Sequence, residues 1–70
     1  MTSWYKVEIN KRIIYAVRID DDKLSDEKKL DEAAHLAANH ENDFEELICS
    51  PLEVGDITKV LNEADTVITH

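Results

Sequence analysis

The sequence predicts a small α+β domain of order ββαβαβ, and three observations carry that expectation. Two stretches, Trp4 to Ile9 and Ile13 to Ile19, alternate apolar and polar residues around a short polar break. A third stretch repeats apolar residues at the three- and four-residue spacing of an amphipathic helix, and the remainder reads as strand, helix and short strand. The expected arrangement is a two-layer domain: a mostly antiparallel sheet with its helices on one face.

From Trp4 to Ile9, Tyr5, Val7 and Ile9 point one way while Trp4, Lys6 and Glu8 point the other. From Ile13 to Ile19, Ile13, Tyr15, Val17 and Ile19 share one side. Joining the two through Asn10-Lys11-Arg12 opposes Ile9 to Ile13, Val7 to Tyr15 and Tyr5 to Val17, so both apolar sets fall on one face. A loop shorter by one residue opposes Ile9 to Arg12 and spoils the burial, because a single-residue slip turns every side chain over. The longer loop is therefore expected, although it offers no glycine at the usual bulge position.

Asp20-Asp21-Asp22-Lys23 is a polar connection. Ser25 reads as a helix N-cap, with Asp26 and Glu27 in a first turn whose dipole favours negative charge. Leu30, Ala33, Ala34 and Ala37 form the stripe that faces the sheet, and Asn39-His40 with the polar Glu41-Asn42-Asp43 close the helix. Phe44 to Cys49 is expected as a third strand, with Leu47, Ile48 and Cys49 suggesting burial on both sides. Ser50-Pro51-Leu52-Glu53 has the spacing of a capping box with proline at the first helical position. Asp56, after Gly55, is a second candidate cap. Ile57, Val60, Leu61 and Ala64 form the next helical stripe, and Thr66 to Thr69 the last strand. The expected core is Tyr5, Val7, Ile9, Tyr15, Val17, Leu30, Ala34, Ala37, Ile48, Val60 and Leu61.

Seventy residues make one domain, 1–70, with one thin core. Cys49 is the sole cysteine, so no internal disulfide forms and a reducing compartment fits, with the cytoplasm as the expected location. No apolar run has the roughly 18 residues or more that a membrane span needs. The N-terminal residues enter a strand pattern directly, without a signal peptide's apolar stretch.

Little in the sequence suggests chemistry. His35 and His40 lie about 140° apart around a helix and so do not form a ligand pair. Asp31 and His35 share a face, where a surface pair explains them. Counted from Asp20 as a calcium loop, the sixth and twelfth positions are Ser25 and Asp31, where glycine and glutamate belong. Gly55 is the one glycine, which excludes a glycine-rich phosphate loop. Cys49 reads as a small core residue. The chain is expected to be no enzyme, with no catalytic residue, metal or cofactor.

Charge is the most informative bulk property. Residues 1–29 carry seven Lys/Arg against six Asp/Glu, a balance of +1; residues 30–70 carry one base against ten acids, a balance of −9. Such a surface repels nucleic acid and anionic membrane and attracts basic surfaces, which belong mostly to proteins that handle nucleic acid. The candidate partner-binding acids are Asp26, Glu27, Asp31, Glu32, Glu41, Asp43, Glu45 and Glu46, spread over the first helix and its following loop. Carboxylates one helical turn apart lie about 5–6 Å from each other, comparable to neighbouring phosphates of a nucleic-acid strand. Trp4, Ile14 and Arg18, on the second face of the hairpin, are the candidate anchors, with Trp4 opposite Arg18 in reach of a cation–π contact.

In size and charge the chain is similar to small phage or mobile-element proteins that block host defence, including anti-CRISPR and anti-restriction proteins. That resemblance is one of class, carried by bulk properties and by no motif. It implies an inhibitor or regulator that docks on a basic protein surface in place of nucleic acid. The alternative is a small homo-oligomeric structural or accessory subunit, a homodimer for example, whose acidity keeps it dissolved.

Overall fold

The computed structural model describes residues 2–20, 22–41 and 46–69. Its elements are β1 (Ser3–Ile9), β2 (Ile13–Ile19), α1 (Asp26–His40), β3 (Leu47–Pro51), α2 (Val54–Glu63) and β4 (Thr66–Thr69). The class and element order are those expected. The four strands form one sheet of order β3-β1-β2-β4. β1 pairs antiparallel with both β2 and β3, whereas β4 runs parallel to β2.

The hairpin has the expected register, with Ile9 opposite Ile13, Val7 opposite Tyr15 and Tyr5 opposite Val17. Its turn works without glycine because Asn10 and Lys11 both take the left-handed conformation, at φ 55° and 59°. Positive φ at both central residues gives a turn whose twist matches the flanking strands, and Arg12 N–H closes it on the Ile9 carbonyl at 3.2 Å. Asn10 tolerates this conformation readily, whereas the lysine Cβ is crowded there. Asn10 also anchors the next strand: its N–H donates to the Glu46 carbonyl at 2.9 Å, and its Oδ1 accepts from Glu46 N–H at 3.1 Å.

The alternation buries Tyr5, Val7, Ile9, Tyr15, Val17 and Ile19 in one cluster, together with Ala33 and Ala37 of α1 and Ile68 of β4. Alanines let α1 lie close on the sheet, and Leu30 and Leu36 close its flanks. Ser25 caps α1 as expected, its Oγ accepting from Lys28 N–H at 3.3 Å. Lys29 is also buried, a residue that the stripe of small apolar positions did not single out; its Nζ donates to Ser3 Oγ at 3.4 Å.

Four expectations need correction. First, the helices do not share one face. Val60 and Ala16 are buried, yet neither belongs to the α1 cluster, and no α2 residue packs against that cluster. The topology explains this. β2, β3 and β4 point the same way, and the connections β2-α1-β3 and β3-α2-β4 cross the sheet in opposite directions. Right-handed crossovers in opposite directions lie on opposite faces, so α2 covers the Ile14–Ala16 side.

Second, β3 runs from Leu47 to Pro51 and is not buried on both sides; Phe44 lies outside the described residues. Ile48, expected in the core, is 41% exposed. It pairs with Glu8 on the face away from α1, and α2 packs on β2 instead of this edge. Third, Ser50 and Pro51 belong to β3, and so the capping box does not form. Glu53 is the N-cap of α2, without a side-chain cap bond, and Asp56 sits inside the first turn. Pairing continues through Leu52, whose N–H donates to the Trp4 carbonyl at 2.9 Å, and this carries the strand past the cap signal. Fourth, Leu30, Ala34 and Leu61 are only half-buried; of the three, Leu30 packs against the core cluster from its flank.

Two outcomes follow for stability. Val17→Asp places an unpaired charge at a fully buried position and should cost about 4 kcal/mol or more, enough to abolish the cooperative melt. Lys11→Gly relieves the left-handed strain and should raise stability by about 1 kcal/mol in denaturant titration.

Candidate functional site

Both helices begin at the same end of the sheet. β2 and β3 deliver the chain to this end, and α1 and α2 carry it back on opposite faces. Between their first turns, around the start of β1 and the end of β3, lies a cleft of about 600 Å³. Trp4, Leu52, Val54 and Ile57 line one part of it, Tyr5, Leu30 and Pro51 the other, and Asp26 and Glu27 stand on its rim. The end of an α/β sheet, beyond the carboxyl ends of its parallel strands, is where folds of this kind leave room for a ligand.

The apolar lining has a local cause. Val54 lies three residues before Ile57 and seven before Leu61, and so extends the α2 stripe one turn beyond the sheet-covered part of the helix. Val54 is 88% exposed, the most exposed large apolar side chain described. The Ile57–Val60–Leu61–Ala64 spacing contained this signal, because Val54 continues it N-terminally. The expected capping box at Ser50-Pro51 obscured it by starting the helix too early.

Polar groups are held at the floor. Ser3 Oγ accepts from the buried Lys29 Nζ. Burial pushes the Tyr5 hydroxyl above its ordinary value, against a hydrogen bond with Ser3 that draws it down. Beside the rim, Asp20 accepts from Thr2 Oγ1 at 2.7 Å and from Arg18 Nη2 at 3.0 Å. The Thr2 bond, followed by the Arg18 charge, holds the Asp20 carboxyl below the usual range.

The fold brings together only some of the candidate residues. Trp4, half-buried, meets the exposed Asp26 and Glu27 at the cleft. Asp31 is exposed one turn further along α1, where Leu24, Lys28, Glu32 and His35 join it around a second, shallower groove. Glu41 and Glu46 lie at the opposite end, beyond the C-terminus of α1, about 20 Å away along a helix of this length. Asp43 and Glu45 fall outside the described residues. The described acids therefore form no single continuous face, because a fifteen-residue helix separates its two ends.

Nor do the expected apolar anchors form one patch. Trp4 does stand opposite Arg18, but the Arg18 guanidinium turns to Asp20. Ile14 lies opposite Glu8, four residues along the hairpin from Trp4. Its backbone is fixed by Asp65, which accepts from Ile14 N–H through Oδ2 at 2.9 Å and donates its own N–H to the Ile14 carbonyl at 2.8 Å. The C-terminal end of α2 is thereby tied down beside Ile14, away from the cleft.

Among the described residues no group of three or more His, Cys, Asp or Glu side chains converges as a metal site would require. Cys49 is half-buried and its thiol is pushed up to about 11, first by burial and then by the Asp31 charge. Its Sγ donates to the Leu30 carbonyl at 3.6 Å. A thiol with this value holds little thiolate at neutral pH, and the thiolate is the reactive form. The scarcity of thiolate, partly offset by the greater nucleophilicity of a more basic thiolate, makes the folded thiol about tenfold or more slower than the unfolded one toward a disulfide reagent at pH 8. The same shift has a sign for stability. Only the unfolded chain releases this proton between about pH 9 and 11, so Cys49 weakens the fold as pH rises through that window. Equal thiol reactivity in buffer and in urea would contradict this placement.

No helix of the described residues is long and apolar enough to cross a membrane. Comparison with protein-family models, curated proteins and solved structures gives no match to this chain in any of the three.

Proposed function

We propose that the chain is a protein-binding regulator that docks on the basic surface of a nucleic-acid-handling partner and uses the cleft between its helix starts as an anchor. The observation that carries this reading is one juxtaposition. An open apolar cleft of about 600 Å³, with Trp4 and the solvent-exposed Val54 in its lining, is rimmed by the carboxylates of Asp26 and Glu27. Exposed aromatic and aliphatic side chains in a concave site are the groups that dominate binding energy at interfaces. Acids at the rim select a partner whose apolar side chain is flanked by lysine or arginine.

The two elements do different work. A net charge of −8 accelerates encounter with a basic partner over distances near the Debye length, about 8–10 Å at physiological salt. Short-range apolar contacts at the cleft then slow dissociation. In this reading the acids act chiefly through their field, which does not require one continuous face. The similarity in size and charge to anti-CRISPR and anti-restriction proteins points to the same mode: occupation of a basic surface that otherwise holds nucleic acid.

The test is binding kinetics against the partner recovered from the native host. Val54→Glu removes an apolar contact at a position 88% exposed, so the fold should be untouched while dissociation accelerates about tenfold or more. The pair Glu27→Gln and Asp31→Asn should slow association and flatten its dependence on salt, with little change in dissociation. Bound partner should lose nucleic acid competitively. Binding indifferent to salt, to the neutralised pair and to Val54→Glu would overturn the reading.

A further inference from the structure

We propose that β4 is a self-association edge, to which a second copy of the chain adds by antiparallel β4–β4 pairing. The inference starts from which backbone groups each strand turns outward. Leu52 N–H bonds to the Trp4 carbonyl and Asn10 N–H to the Glu46 carbonyl, so the even-numbered residues of β1 face β3. Its odd-numbered residues therefore face β2, and the even-numbered residues of β2 face β4, as the Ile14–Asp65 bonds require. Ala16 is opposite Val67 in a parallel pair, so it bonds to the residues on either side of Val67. The N–H and C=O groups of Val67, and by the same alternation those of Thr69, point away from the sheet.

The two edges of the sheet differ. On β3 the outward positions are Leu47, Cys49 and Pro51, and proline has no N–H to offer, which blunts that edge. On β4 the sequence Thr66-Val67-Ile68-Thr69 contains no proline and no charge, although it lies in the half of the chain that carries a balance of −9. Lysine, proline or a bulge normally protects such an edge. Pairing of β4 with β3 of another copy would meet Pro51 and propagate without closing. Pairing of β4 with β4 is self-complementary and closes as a dimer. With the two-fold axis at Ile68, Val67 and Thr69 of one copy face Thr69 and Val67 of the other, which joins the two sheets into one of eight strands. The Val67 side chain, 49% exposed on the α2 face, then gains a β-branched cross-strand neighbour. A four-residue edge makes a small contact, below the roughly 1,200 Å² of most stable interfaces, and so a weak, concentration-dependent dimer.

Charge gives this dimer a signature opposite to that of partner docking. Two copies at −8 each repel, and salt screens the repulsion, so self-association tightens at high salt while binding to a basic partner weakens. The experiment is sedimentation velocity over a wide concentration series at low and high salt, with amide hydrogen exchange at both ends of the series. The expected result is a monomer–dimer equilibrium that strengthens with salt and slows exchange at the Val67 and Thr69 amides. Val67→Lys sets like charges near one another across the new contact at an already half-exposed site, and should weaken the dimer about tenfold or more without changing the melt. Ile48→Lys, on the other edge strand, should leave it intact. A monomer at every concentration and salt would overturn the proposal, as would a dimer that survives Val67→Lys or gives no protection at Val67 and Thr69. None of these outcomes bears on the cleft, whose test is Val54→Glu.

Discussion

Everything in this domain depends on the register of the β1–β2 hairpin. With Ile9 opposite Ile13, six apolar side chains face α1, and a slip of one residue would replace them with Trp4, Lys6, Glu8 and their neighbours. Two left-handed residues, Asn10 and Lys11, hold that register. Asn10 does a second job through its paired hydrogen bonds to Glu46, which place the start of β3 beside the end of β1. In a chain of this size, expected to hold only roughly 4–10 kcal/mol in total, one strained turn is a significant term. Its retention reflects the lack of any other register that buries both strands.

Direction of the strands then decides where a site can form. Because β2, β3 and β4 are parallel and β1 lies between β2 and β3, the two helical crossovers travel in opposite senses and must occupy opposite faces. Both helices consequently begin at one end of the sheet. Their first turns, with Asp26 and Glu27 on one and Val54 on the other, flank the opening where Trp4 emerges. The opposite end, by contrast, is closed by the Asn10–Glu46 and Ile14–Asp65 bonds. The division is physical: one end is drawn together by these bonds, and at the other the first turns of the two helices flank an apolar cleft with polar groups at its edges.

Local pattern made much of this legible before any coordinates. The strict alternation from Trp4 to Ile19 admits one burying register, and Ser25 followed by Asp26 and Glu27 is an N-cap signal with few competitors. What was not legible is tertiary. Ser50-Pro51-Leu52-Glu53 satisfies a capping-box spacing, but cross-strand bonds to β1 hold Ser50 and Pro51 extended, a choice that only the partner strand makes visible. Ile48 reads as core because β3 is apolar, and it is 41% exposed because α2 packs over β2, away from the edge where Ile48 pairs with Glu8. Lys29 is buried through the reach of its own chain to Ser3, which no periodicity encodes. For the site, Trp4, Asp26 and Glu27 are identifiable by type, whereas Glu41 and Glu46, of the same type, lie a full helix away.

The central claim is that the open end of the sheet is the surface that meets the partner, and one footprint tests it. Hydrogen–deuterium exchange of the chain, free and bound to the partner captured from its host, reports which backbone amides the complex shields. The account predicts protection at residues 3–5, in the first turns of α1 and across residues 51–57, with the Asn10–Glu46 end unchanged. Protection confined to that closed end, or to residues 66–69 alone, would contradict it.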